Sequence, residues 1–295
     1  MIPPEQTKYA SRVVDRPVWS RIEQGTIFSN VVAENYVNCE VYGLVITARC
    51  DLAQAKASVI NYIPLVPFRD WGSRDFAMLL CTQLRKDAIG KFREVLREHG
   101  LRDTLLVTQK PRAILDKCFD TTSGGQSGKR AERCKAIVEQ LDDLERIGSQ
   151  AIATPTDLDT LHKMAPKGAE AMVTKCIGQQ LSGYYFLPTA DPSAEPTGYV
   201  ALLREIYHLP TSLALAVASG LDKDRHEQFC REHRDVKDRL RLGPEDLAMP
   251  VGTVRSPHLE HLMQVFSHLY GRIGLEDTTP EYETFVRAQV FGRTK

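Results

Sequence analysis

Two groups of strand-forming runs stand on either side of a long helical block, and this order constrains the fold more than any single motif does. The first group is residues 25–32, 41–47 and 59–67, rich in Val, Ile, Tyr and Thr and separated by polar stretches. The second is 184–187 and 199–207, joined by a Pro- and Gly-bearing segment, 191–198, that reads as the long loop of a hairpin. Neither group alone supplies a sheet with enough strands to be stable, so both are expected in one sheet. Pro64 lacks a backbone donor, which predicts an edge position or a bulge for the third strand.

Between the groups the apolar spacing lengthens. Phe76, Leu79, Leu80, Leu84, Ala88, Phe92, Val95 and Leu96 fall three and four apart, on one face of a helix that Gly100 stops. A helix over 111–118, a glycine-rich flexible loop over 121–128 and helices near 131–146, 158–164 and 169–180 complete a helical insertion. Residues 222–242 alternate in charge and read as an exposed helix. Ser256-Pro257 reads as a cap followed by a first-turn proline, opening an amphipathic helix through Leu259, Leu262, Met263, Phe266 and Leu269. The expected fold is α+β: an amino-terminal arm (1–20), a small bent antiparallel sheet or partial barrel from 21–72 plus 184–275, a helical insertion (73–183) and a tail (276–295).

Composition fits an ordinary globular chain. Of 295 residues 42% are hydrophobic and 26% charged, with 38 Lys and Arg against 38 Asp and Glu, which excludes a disordered chain and a highly basic chromatin-type protein. The start, Met1-Ile2-Pro3-Pro4-Glu5-Gln6, lacks the basic and apolar regions of an export signal, and no apolar run reaches the ~18 residues of a membrane span. Seven scattered cysteines without a CxxC pair suit reduced thiols, so a cytoplasmic location without membrane contact is expected.

A Gly25-Thr26-Ile27-Phe28 opening strand, an apolar second strand with a polar exit, a third strand holding a proline, a later strand ending Arg204-Glu205-Ile206 and a final amphipathic helix together resemble the SH3-like barrel of PemK/MazF-type toxins. The resemblance covers 22–68 and 184–275 and implies an SH3-like partial barrel, RNA cleavage, control by an antitoxin partner, and a bacterial stress or phage-defence setting. The family's second strand opens with Arg-Pro, where this chain has Glu40-Val41. The Thr or Ser expected near the end of the third strand falls at Val66-Pro67. No catalytic residue carries over, and a fold can persist without its chemistry.

The most unusual local sequence follows the second strand: Thr47-Ala48-Arg49-Cys50-Asp51-Leu52-Ala53-Gln54-Ala55-Lys56. A strand exit presents side chains at a sheet rim. Arg49 suits a phosphate or carboxylate, Asp51 can orient it or act as a base, and Cys50 beside a cation suits a reactive thiol. Thr47, Arg49, Cys50, Asp51, Gln54 and Lys56 are the candidate binding residues; the bland alternative is that Asp51 caps a helical turn and Cys50 packs. Other matches fail on spacing. Between Gly124 and Gly128 stand three residues where the phosphate-loop pattern needs four, and Arg130 follows Lys129 where it needs Ser or Thr. His233-Arg234-Asp235 lacks the Asn and Asp-Phe-Gly of a kinase. His226, Cys230 and His233 share a helical face but offer no fourth ligand, and a solvated face is the preferred reading. No metal or cofactor is expected.

Arg85, Lys86, Lys91, Arg93, Arg97 and Arg102 cluster on the first inserted helix among interspersed carboxylates, so nucleic-acid binding requires a local groove. The leading expectation is a bacterial toxin-like or antiphage interaction module that binds a protein or nucleic-acid partner through a barrel rim. The alternative is an RNA- or nucleotide-directed hydrolase, and the helical insertion offers a surface for homo-oligomerisation.

Overall fold

The computed structural model describes residues 4–54, 56–120, 124–232, 239–271 and 279–291. In chain order the sheet-forming part begins with helix α1 (Pro4–Val13), strands β1 (Val14–Asp15) and β2 (Thr26–Phe28), a 3-10 turn (Glu34–Tyr36), β3 (Tyr42–Val45), helix α2 (Arg49–Ala53) and β4 (Val59–Pro67). The insertion holds α3 (Phe68–Trp71), a π turn (Gly72–Phe76), α4 (Ala77–Glu98), α5 (Leu105–Thr108), α6 (Pro111–Cys118), α7 (Gly125–Gly148), α8 (Pro155–Met164) and α9 (Pro166–Ile177). The chain returns through β5 (Tyr184–Leu187), β6 (Tyr199–Leu202), β7 (Tyr207–Pro210), α10 (Thr211–Ala218), α11 (Lys223–Glu232), β8 (Pro250–Val254), α12 (His258–Tyr270) and α13 (Pro280–Phe291).

Among the described residues all eight strands join one antiparallel, curled half-barrel sheet in the order β1-β8-β2-β3-β4-β6-β5, with β7 also on β4. The fold is α+β, and both chain halves meet along β4. On one side β4 pairs with β3; on the other, Val59–Tyr62 pair with β7 and Leu65–Pro67 with β6. Pro64 therefore lies in a central strand, contrary to the edge expectation. Its missing donor is tolerated because the ladder toward β6 and β7 is interrupted at Ile63 and Pro64, opposite the turn joining those strands.

Alternation along β4 feeds two cores. Ile63 and Leu65 face α12, meeting Leu259, Leu262, Met263 and Phe266. Ile60, Tyr62 and Val66 face the opposite way, toward Trp71 and toward Leu213 and Val217 of α10. Gly43 in β3 is required by close approach: a Cβ there would sit 2.4 Å from the Phe28 ring.

Several local expectations are corrected. The arm forms α1 and an edge strand, β1, on β8. Strand β8 has no counterpart in the sequence reading, because its Pro250 and Gly252 interrupt the strand pattern. The run 199–207 breaks after Leu202, so β6 and β7 take separate stretches of β4. The loop expected over 121–128 is helical from Gly125, while residues 121–123 lie outside the described residues. Helix α12 starts at His258 with Pro257 in the cap position, so Ser256 does not cap it. The tail contains α13. Helix α11 buries His226, which contradicts a wholly solvated face; His233 and the 233–237 segment lie outside the described residues.

Within the insertion α4 and α7 pack antiparallel, early α4 with late α7 around Leu80 and Leu144, late α4 with early α7 around Phe92 and Ala131. Thr154 and Asp157 form a capping box on α8, and Arg146 of α7 donates to Asp157 at 2.8 Å. The Thr154 hydroxyl first, then Arg146, hold this carboxyl at about 2. Its folded value is depressed, so its stabilisation is complete above about pH 4 and disappears as the pH falls toward 2. Asp157→Ala is expected to cost about 1–2 kcal/mol at pH 7 and to flatten the stability profile over that acid window. Urea denaturation at stepped pH measures both effects, and an unchanged acid limb would exclude Asp157 as its source.

Candidate functional site

The expected corner is present at the sheet rim. After β3 the chain turns into α2, a single exposed turn whose Ala48 cap position makes no side-chain cap bond, so Asp51 is not its N-cap. Arg49 reaches Glu260 at the start of α12 at 3.6 Å. The Cys50 thiol donates to Asp51 Oδ1 at 3.6 Å. Gln54 and Lys56 are exposed, and their backbone amides bond Cys50 and Asp51 carbonyls. Thr47 differs: it is buried and its hydroxyl accepts from the Asn61 amide at 2.6 Å, fastening the corner to β4. Thr47 is therefore an anchor of the corner and, contrary to expectation, not part of its exposed face. His258 and His261 also lie at this rim, where Tyr185 Oη is 3.2 Å from both the His258 carbonyl oxygen and His261 Nδ1.

A second, chemically richer cluster forms where the insertion leaves the sheet. Helices α3 and α4 are one rod interrupted by the π turn Gly72–Phe76, and such a turn re-aims the side chains it carries. It places Asp75 2.9 Å from the buried Tyr36 hydroxyl, which donates to the carboxylate. The Arg74 guanidinium lies 5.0 Å from the Tyr36 ring centroid and 3.6 Å from Asp70. From the β6–β7 turn, Glu205 accepts from Tyr207 at 3.1 Å, and the Tyr207 hydroxyl accepts from the Glu34 amide at 3.3 Å. Trp71 closes the floor, its ring 5.6 Å from Tyr184, and its indole nitrogen is buried without a hydrogen-bond partner among the described residues. Beside Asp75 and Tyr184 opens a cleft of about 480 Å³ that also exposes Thr82, Gln83, Lys86 and Asp87.

Burial dominates the electrostatics here. It raises the Asp75 carboxyl above the ordinary range against the opposing effects of the Tyr36 hydrogen bond and the Arg74 charge. Glu205 is raised by burial as well; the Tyr207 hydrogen bond opposes this and the Asp75 and Glu34 charges add to it. Burial also raises the Tyr36 and Tyr184 hydroxyls, which stay protonated, and Tyr36 uses its proton to donate to Asp75. Such a pair of carboxyls can hold and pass protons or accept hydrogen bonds from a polar ligand. Among the described residues no group of three or more His, Cys, Asp or Glu could hold a metal. His226 Nε2 and Cys230 Sγ approach to 3.3 Å.

This cluster was not anticipated. Its members come from 34–36, 70–75, 184 and 205–207, and only the fold brings them together. One local signal was available: Arg69-Asp70-Trp71 recurs as Arg74-Asp75-Phe76 five residues later, off the helical period and next to the π turn. No protein family, curated protein or solved structure matches the chain.

The Tyr36 hydroxyl stabilises ionised Asp75, so Tyr36→Phe is expected to move the Asp75 midpoint further up. Because a raised folded value favours the protonated native state, the variant should lose stability with rising pH over a higher window than the parent. Carboxyl-carbon NMR titration reads the midpoint directly; a fall on losing the phenol would remove Tyr36 as the donor.

Proposed function

We propose that this protein is a partner-binding module, acting in the cytoplasm of a bacterium during a stress or antiphage response, that engages a protein or nucleic-acid partner through the rim of its curled sheet. The observation that carries this reading is the corner: Arg49, Cys50, Asp51, Gln54 and Lys56 stand exposed on a short turn tied to the framework at Thr47–Asn61 and Arg49–Glu260. A surface already ordered before contact loses less conformational entropy on binding. The resemblance to PemK/MazF-type toxins supports the setting, since that family is controlled by antitoxin partners.

A second reading, a hydrolase directed at RNA or nucleotides, is favoured by one feature, the raised Asp75 carboxyl on the wall of an open cleft, with the raised Glu205 carboxyl near enough to feel its charge. Against a polyanionic substrate, the cleft wall sets Asp75 and Asp87 against a single cation, Lys86.

Affinity capture from the native host separates the two. Arg49→Glu is expected to weaken recovery of a stoichiometric partner at least about ten-fold, because like-charge contact across an interface costs several kcal/mol. Asp75→Asn should retain it. Equal recovery with Arg49→Glu overturns the rim reading, whereas RNA cleavage by the purified protein that vanishes in Asp75→Asn and persists in Arg49→Glu would establish the hydrolase instead.

A further inference from the structure

The insertion carries a groove remote in sequence from the rim. Helices α4, α6 and α7 and the short α5 enclose about 640 Å³ of open volume, floored by apolar side chains that include Ile89, Leu106 and Leu141. Arg85, Ile89 and Arg93 follow one another at four-residue spacing along α4 and so form a single stripe. The two arginines stand about 12 Å apart along the helix axis at 1.5 Å per residue.

The remaining charges of the groove are already answered. Lys110 pairs with Glu145 at 3.7 Å and Arg112 pairs with Asp142. Among the described residues no carboxylate forms an ion pair with Arg85 or Arg93, so the groove keeps two uncompensated cations on either side of an aliphatic side chain. On its rim Val107 is 85% exposed, more than any other large hydrophobic residue of the described chain.

We propose that this groove binds an acidic amphipathic segment of a partner protein, with two carboxylates set about two helical turns apart on Arg85 and Arg93 and an aliphatic face against Ile89, Leu141 and Val107. Charge complementarity and the aliphatic floor both select such a segment. Nucleic acid is disfavoured: no aromatic ring lines the groove to stack a base, and Asp142 and Glu145 line it beside the cations. This surface is independent of the Arg49 corner, and its failure would leave the rim reading untouched.

The test uses the full chain and a fluorescein-labelled synthetic helical peptide of about 16 residues, long enough to form helix on a surface, with Glu at positions i and i+7 flanking Leu and Val. Fluorescence anisotropy should show saturable binding that Arg85→Glu/Arg93→Glu weakens about ten-fold or more, and that Val107→Ser weakens about three-fold. Arg49→Glu should bind like the parent, and a peptide with Lys in place of Glu should not bind. Circular dichroism melts confirm that the exposed-site variants fold, with Arg85→Gln/Arg93→Gln as the milder pair. The inference is overturned by peptide affinity insensitive to both arginine pairs, by absence of binding, or by a single-stranded RNA of similar length that binds more tightly through the same arginines.

Discussion

Strand β4 is the constraint on which the rest of the molecule depends. It pairs with β3, its neighbour in sequence, and with β6 and β7, which the chain reaches only after the whole insertion. Closing so long a loop is cheaper than its length suggests, because closure entropy grows only as the logarithm of loop size, with each doubling adding about 0.6 kcal/mol. The two ends of the insertion are also fastened where they leave and rejoin the sheet. The Phe68 amide donates to the Gly198 carbonyl at 2.9 Å, and the Phe68 and Phe186 rings meet edge to face at 5.7 Å. Gln179 then uses its side-chain amide like a strand, donating to the Phe186 carbonyl and accepting from the Phe186 amide along the exposed edge of β5. A hydrophobic edge strand without such cover is open to pairing with another chain.

What was legible in the sequence follows from the range of the forces involved. Helix α4 announces itself because its buried residues recur within one turn of each other, and the union of two strand groups follows from the instability of each alone. Strand β8 is invisible locally: its position between β1 and β2 is set by Gly252, packed where a Cβ would lie 2.4 Å from the Ala190 carbonyl, a contact spanning 62 positions. Residues 125–128 misled because glycine signals a turn, yet its penalty in a helix is only about 1 kcal/mol. Cys134, Ile137 and Val138 bury the same helix further along, and packing overrides propensity. The Arg49 corner was readable as a strand exit. The inward position of Thr47 was not, since it depends on Asn61 across the ladder.

The carboxyl cluster shows why chemistry can escape a linear reading even when its residues are ordinary. Nothing in the repeat around Asp75 or the strand end around Glu205 marks a perturbed carboxyl; each is raised chiefly because burial in the fold disfavours its charge. The π turn is the local device that makes this possible, since it follows Trp71, which packs against Tyr184, and carries Asp75 to the Tyr36 hydroxyl beside the same cleft. The same segment serves a second cavity of about 610 Å³ between the helix start and α8 and α9, lined by Phe68, Trp71 and Phe76. A change at the bulge is therefore felt in the sheet core, the carboxyl cleft and that cavity at once.

A chain of zero net charge exerts no long-range pull on a charged partner, so recognition has to reside in local arrangements. Three such arrangements are separated by the architecture: a polar corner at the sheet rim, a protonatable cleft at the junction and a cationic, aliphatic groove in the insertion. Their chemistries differ in sign and polarity, which means that one ligand does not suit them all. The corner and groove are charged surfaces open to solvent, where contact strength falls with salt over a screening length of about 8 Å at physiological ionic strength. The junction carboxyls are half-buried, so salt screens them less. Ionic strength therefore separates the proposals physically: binding at the corner or the groove, as proposed, would weaken steeply with salt, and a proton-linked event at Asp75 and Glu205 would respond less.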